Sequence, residues 1–319
     1  MKKSKVIKLA LIIVPLIIYV TALILATFYD FEIAKGIAKL NNAEYVSKNK
    51  FGRFFETVGE MPIYLLVAFA GSILFINCGR LKNKTKKIVI RVALYLIVFC
   101  ILFFSAYRFM NYIAELTGAF SCREMWAILA EILITLVSAV IIYVTITSLG
   151  TERCKRLLLF AFIIILTAIF SQLITQGVKL FWGRARYRTI NALNNADLYS
   201  PWYMPQGMPE ISKAEELIGI TSDAFKSFPS GHTTAAGMMI VLTYLPGCFK
   251  RLSKNWVKVI FYVVAYLYLF IVALSRMVMG AHYLSDVLFG AGIVIGFYYL
   301  SKYIVEKTAK KLSTKNSNK

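Results

Sequence analysis

LLLFAFIIILTAIFSQLITQGV, residues 157–178, decides the fold. It carries no charge and is long enough to cross a bilayer, which takes about 20 mostly apolar residues as a helix. In lipid a helix satisfies its own backbone hydrogen bonds, which an open strand or loop cannot. Working outward, windows of the same kind fall at 7–28, 61–79, 88–108, 125–149, 232–248, 257–275 and 285–304. The composition agrees. The 319 residues are 59% hydrophobic and 17% charged, where a soluble domain has about 45–50% apolar and about 25% charged residues. The expectation is an all-α polytopic membrane protein with about eight transmembrane helices.

The formal net charge of +21 sits mostly in short segments between the windows. One side collects Lys2, Lys3, Lys5 and Lys8, then the basic runs at 80–91, 153–156 and 250–258, and finally the tail from Lys302 to Lys319. These segments are nearly free of acids. Lysine and arginine accumulate in cytoplasmic loops, so both termini are expected in the cytoplasm. The segment 179–228 and the stretches around both histidines are then expected on the outer side. No basic stripe is interleaved with stacking aromatics outside the spans, which argues against nucleic acid as a partner. The first apolar run is longer than a signal-peptide core and has no clear small-x-small cleavage site, so it reads as an uncleaved span. Cys78, Cys100, Cys122, Cys154 and Cys248 include no pair at metal-ligand spacing, and only Cys122 is expected to face outward. FGRFFE at 51–56 reads either as a helix lying in the interface or as an ordinary wet loop. The connector 187–228 is long, and its Trp202 and Tyr203 among Pro201, Pro205 and Pro209 suit a lid at headgroup level.

The chain has only two histidines, each at a junction between polar and apolar sequence. In FPSGHTT, residues 228–234, Ser230 can cap the helix that follows, and a helix N-terminus offers free N–H groups to a phosphate. His232 falls in the first turn, where imidazole can move protons at neutral pH. The plainer alternative is a capped helix with a polar histidine at headgroup level. In SRMVMGAHYLSD, residues 275–286, His282 and Asp286 are four apart and share one helix face. A carboxylate on one ring nitrogen leaves the other free to attack; otherwise the histidine is simply satisfied by a helix neighbour. Arg276 ends the preceding span and either faces a polar cavity or snorkels to the interface. In KLFWGRARYR, residues 179–188, Lys179, Arg184, Arg186 and Arg188 run against the charge bias of that side. They fit a phosphate ligand or a general attraction to lipid headgroups.

Together these stretches resemble the type 2 phosphatidic acid phosphatase family of integral-membrane lipid phosphatases. Its signature is K-x6-R-P, then P-S-G-H, then S-R-x5-H-x3-D. Here the parts read Lys179-x6-Arg186, Pro229-Ser230-Gly231-His232 and Ser275-Arg276-x5-His282-x3-Asp286. The resemblance divides the chain into a six-helix phosphatase core at 88–305, two added spans with an interfacial loop at 1–87, and a basic cytoplasmic tail at 306–319. Tyr187 stands where the signature has proline, and Ala185 where relatives often carry another, which puts the backbone path after Arg186 in question.

The resemblance implies roles. His282 attacks phosphorus to form a phosphohistidine, and Asp286 orients it. His232 protonates the departing oxygen and then assists water. Lys179, Arg186, Arg276, Ser230 and the Gly231 amide bind the phosphoryl oxygens. No cofactor is implied, and the outward segments hold too few His, Cys and clustered carboxylates for a two-metal site. The expected protein is a plasma-membrane hydrolase with its active site facing outward and a lipid phosphate or diphosphate as substrate. Undecaprenyl diphosphate comes first, then phosphatidylglycerol phosphate or phosphatidic acid. A lipid phosphotransferase using the same site is the enzymatic alternative, and a non-catalytic lipid transporter is the other.

Overall fold

A computed structural model describes residues 2–40, 49–122, 124–211 and 220–317. It is 83% helical with no strand among the described residues, so the all-α class holds. The main helices are α1 (Lys2–Leu40), α2 (Lys50–Val58), α3 (Met61–Asn77), α4 (Lys84–Thr117), α5 (Met125–Arg156) and α6 (Leu158–Trp182). They are followed by α7 (Tyr187–Leu193), α8 (Gly231–Gly237), α9 (Leu245–Cys248), α10 (Asn255–Val278) and α11 (Leu284–Ser317). Among the described residues seven stretches are long and apolar enough to cross a membrane, on α1, α2–α3, α4, α5, α6–α7, α10 and α11.

The eighth window, 232–248, is helical but not as one α-helix. A 3-10 segment, Met238–Tyr244, separates α8 from α9. A 3-10 helix rises about 2.0 Å per residue against 1.5 Å for α. Drawn out in this way, Gly231 to Cys248 reaches about 30 Å, the thickness of a bilayer's hydrocarbon core. The interfacial stretch resolves to a helix. Asn49 caps α2 by accepting from Gly52 N–H at 2.7 Å. Gly52, Glu56 and Thr57 are buried, while Phe51 and Phe54 are exposed.

Helix α3 packs against α4, α5 and α6, and α11 lies along α6 with α1 on its other side. The core between them is built from Phe160, Ile163 and Ile164 of α6 with Ile73, Met238, Val241, Val294 and Tyr298. Short α8 is held among α3, α6, α10 and α11. This packing gathers the end of α6, the start of α8, and the turn between α10 and α11 at one end of the bundle.

One glycine sets the direction of the chain there. Helix α6 ends at Gly183 in the left-handed region (φ 67°), and Gln206 N–H donates to Trp182 O at 2.8 Å. A Cβ on Gly183 would lie 1.5 Å from Gly207 O. Gly183→Ala must therefore move backbone as well as adopt a conformation that costs an L-residue about 1–2 kcal/mol. The expected result is a lower unfolding temperature in detergent, measured by thermal loss of the monodisperse chromatographic peak.

Candidate active site

Lys179, Arg186, Gly231, His232, Arg276 and His282 line one cavity of about 600 Å³. Ser230 and Asp286 do not line it and are fully buried behind it. The three sequence stretches, separated by up to a hundred residues, thus meet at one place.

His282 lies in the turn between α10 and α11. Its Nδ1 is 2.6 Å from Ser227 O. A carbonyl only accepts, so Nδ1 carries the proton and Nε2 keeps its lone pair. Burial pushes the ring down to about 3 from its ordinary 6.5, so it is neutral at physiological pH. Asp286 Oδ2 is 3.6 Å from Nδ1, too far for a good hydrogen bond. Instead Asp286 accepts from Tyr283 N–H at 2.8 Å, from the Ser227 hydroxyl, and from Arg184 Nη1 at 2.6 Å. It therefore holds the ring through Ser227, whose carbonyl is the direct partner.

His232 sits in the first turn of α8. Its Nδ1 is 3.4 Å from Glu60 Oε1, and its Nε2 is 3.1 Å from the Tyr112 hydroxyl and 3.2 Å from Glu56 O. Ser230 is the N-cap, with Oγ accepting from the Thr233 hydroxyl at 2.9 Å and from Thr233 N–H at 3.4 Å. That hydroxyl serves the helix end, which aims the first turn at the cavity. A Cβ on Gly231 would come 3.6 Å from Lys179 Nζ, so the glycine borders the lysine.

The cations are only partly neutralised. Arg276 Nη2 donates to Glu56 Oε1 at 3.0 Å, and Arg186 Nη2 pairs with Asp223 Oδ2 at 2.8 Å. The Nε of each arginine is buried with no hydrogen-bond partner among the described residues. Lys179 Nζ donates to Lys226 O at 3.3 Å. Burial pushes Asp223 up, but Arg186 and Lys179 overcome it and hold the carboxyl below its usual range. Two arginines, a lysine and the start of α8 lining one cavity are the donors an anion with several oxygens requires.

Arg184, expected with its neighbours to meet a phosphate or lipid headgroups, does neither, and Asp30, Glu60, Arg108 and Tyr112 had been given no role. Arg184 is fully buried, with Asp286 and Ser285 (2.8 Å) on Nη1 and Asp30 of α1 (2.9 Å) on Nη2. Its Nε donates to Ser200 O at 2.9 Å, and its guanidinium stacks 4.1 Å over the Tyr283 ring. Asp30 also accepts from Ser285 through both its N–H (3.0 Å) and its hydroxyl. Glu56, Glu60, Arg108 and Tyr112 line the cavity from the N-terminal half of the chain. The available signal was an acid or arginine inside or beside an apolar window, as at Asp30 and Arg108, since such groups need a partner. Glu131 has that signal too; it is buried on α5 and does not line this cavity.

Two further readings can be placed. Tyr187 is the first residue of α7, a position where a helix tolerates proline, and its ring packs on Phe31 (5.6 Å) and Tyr283 (6.4 Å). The chain thus turns into a helix after Arg186 without the proline. In the long connector, whose residues 212–219 lie outside the described ones, Trp202 is fastened to α1 and α11. Its Nε1 donates to Thr27 Oγ1 at 3.1 Å, and its ring meets Phe289 at 4.6 Å. From the same connector Asp223 reaches the cavity.

A family model described as PAP2 superfamily matches residues 156–310. No curated protein and no solved structure gives a match. Histidine-15N NMR of a chain with two histidines tests the reading of His282. Its ring is expected to stay neutral, with Nδ1 protonated, at pH 5. Because the folded pKa lies below the unfolded one, the unfolded chain binds the extra proton first. The stability from burying the neutral ring is full above about pH 6.5 and falls as the pH drops toward 3. His282→Gln should flatten that part of the stability profile in acid unfolding followed by tryptophan fluorescence.

Proposed function

Because residues 156–310 belong to the PAP2 superfamily, and this is a multi-pass membrane phosphatase acting on phosphate esters, we propose that its substrate is a lipid phosphate or diphosphate hydrolysed through His282. The observation that carries the reading is the cavity itself: a neutral His282 beside arginines whose buried Nε–H groups lack partners. In the first step His282 Nε2 bonds to phosphorus as the bond to the departing oxygen breaks, and His232 gives that oxygen a proton. In the second, water attacks the phosphohistidine, His232 takes its proton, and the N–P bond breaks to release phosphate. Lys179, Arg186, Arg276 and the Gly231 amide stabilise the charge on the phosphoryl oxygens. Ser230 contributes by capping the helix that carries the amide, and Asp286 by fixing Ser227.

The lipid assignment draws on where the cavity lies. Ile63 and Phe104 of membrane helices share its wall with the charged groups. A headgroup can enter it while the tail stays in the bilayer. The basic segments at the other helix ends support an outward-facing site in a plasma membrane, with both termini cytoplasmic. Undecaprenyl diphosphate is the first substrate of this reading, ahead of phosphatidylglycerol phosphate and phosphatidic acid.

Phosphate release by purified protein in detergent with EDTA, from each of these three lipids, tests it. Wild type is expected to hydrolyse at least one, and His282→Ala to lose more than about 10³-fold of that rate. Absence of release from all three, or full activity in His282→Ala, sinks the reading. Transfer to an added acceptor alcohol in place of water would reassign the protein as a phosphotransferase.

A further inference from the structure

Among the groups that the N-terminal half of the chain, outside residues 156–310, brings to the cavity, one carboxylate touches a histidine ring. Glu60 immediately precedes α3, and its two oxygens have separate partners. Oε2 accepts from Arg108 Nε (3.2 Å) and Nη2 (2.9 Å) and from the Tyr64 hydroxyl (3.4 Å). Oε1 is left facing His232 Nδ1 at 3.4 Å. The other ring nitrogen, Nε2, faces the Glu56 carbonyl at 3.2 Å. A carboxylate can only accept, so the Glu60 contact calls for hydrogen on Nδ1, while Nε2 meets both an acceptor in the Glu56 carbonyl and, at 3.1 Å, a hydroxyl of Tyr112 that can donate to it or accept from it. His282 is arranged otherwise, with one nitrogen on a carbonyl and the other unengaged.

The surroundings make the protonated form dependent on a counter-charge. The ring is buried, with Arg108 and Tyr112 on α4, Arg276 on α10, Lys179 on α6, and His282 around it. The nearby carboxylate of Glu56 on α2 is taken by Arg276 at 3.0 Å and Arg53 at 2.9 Å. Glu60 is the carboxylate in contact with the ring.

We propose that Glu60 is a positioning residue for the reaction, placing hydrogen on His232 Nδ1, supplying the counter-charge the ring needs while it carries the proton it gives, and fixing its orientation toward the departing oxygen. The proposal rests on the reading above that His232 supplies that proton. It assigns a function to the N-terminal spans that no motif in residues 156–310 contains.

The test compares two leaving groups, using kcat/KM so that only steps up to release of the alcohol count. Hexadecyl phosphate must expel an alkoxide, which needs a proton; p-nitrophenyl phosphate expels a stable anion that does not. Glu60→Gln is expected to lower kcat/KM for hexadecyl phosphate by about 10- to 100-fold, part of the 10²–10⁴ that acid–base catalysis supplies. The same protein should keep p-nitrophenyl phosphate within about 3-fold. Glu60→Asp, which retains the charge, is expected to recover most of the hexadecyl phosphate activity. Equal losses on both substrates, no loss on either, or no recovery with aspartate overturns the proposal while leaving the phosphatase reading standing. A wild type that releases phosphate from neither ester overturns both.

Discussion

The site depends on a guanidinium that never meets the cavity. Arg184 is buried without solvent contact, and its donors are shared between Asp286 and Ser285 at the start of α11 and Asp30 on α1. A charge withdrawn this far from water is tolerated only when paired and hydrogen-bonded on all sides, and losing one partner of such a pair typically costs about 3–5 kcal/mol. Through Asp286 the network fixes Ser227, and through Ser227 it fixes the proton on His282. Through Asp30 it ties the first span to the last. Packing and the state of the site are therefore joined in one set of bonds, and the neutral His282 ring is a product of that set as much as of burial.

The two halves of the chain contribute differently. Residues 156–310 bring the cations, both histidines and the capped helix end. The N-terminal half brings counter-charges and their holders: Asp30 to Arg184, Glu56 to Arg276, Glu60 and Tyr112 to His232. A cavity lined only by lysine and arginine would repel itself when empty. The acids on α1, α2 and α3 let those cations sit close together before a ligand arrives. The walls of the site extend across residue 88, since α2 and α3 line the same cavity as α6 and α8.

Most of the fold was legible as apolar length. Seven windows correspond to helices of spanning length because a membrane span has to be both long and uncharged. The window at 232–248 was legible as helix but not as a 3-10 interruption, a segment that packs against α10, α6, α3 and α11. In the site, Lys179, Arg186, His232 and His282, picked out by spacing, line one cavity, while the direct contact expected between His282 and Asp286 is replaced by one through Ser227. Arg184 was read as one of several outward cations, since nothing local separates a buried arginine from an exposed one two residues away. Glu60 and Asp30 stood out only as acids beside apolar windows, with no local sign of their partners. Their meaning lies in contacts across the bundle, and only the packing of α1 and α3 brings them to the motif.

Asp223 gives the cavity a further property. Its carboxylate already occupies one face of the Arg186 guanidinium at 2.8 Å while remaining 63% exposed to the outside. On the proposed reading an arriving phosphate does not fill a void. It exchanges places with a resident anion, and the departing phosphate leaves an arginine whose former partner stands ready to return. Such exchange weakens the hold on substrate and on product alike, which leaves the bound states shallow and favours release over retention. On the same reading, a cation that is never left bare has less reason to collect a wrong anion.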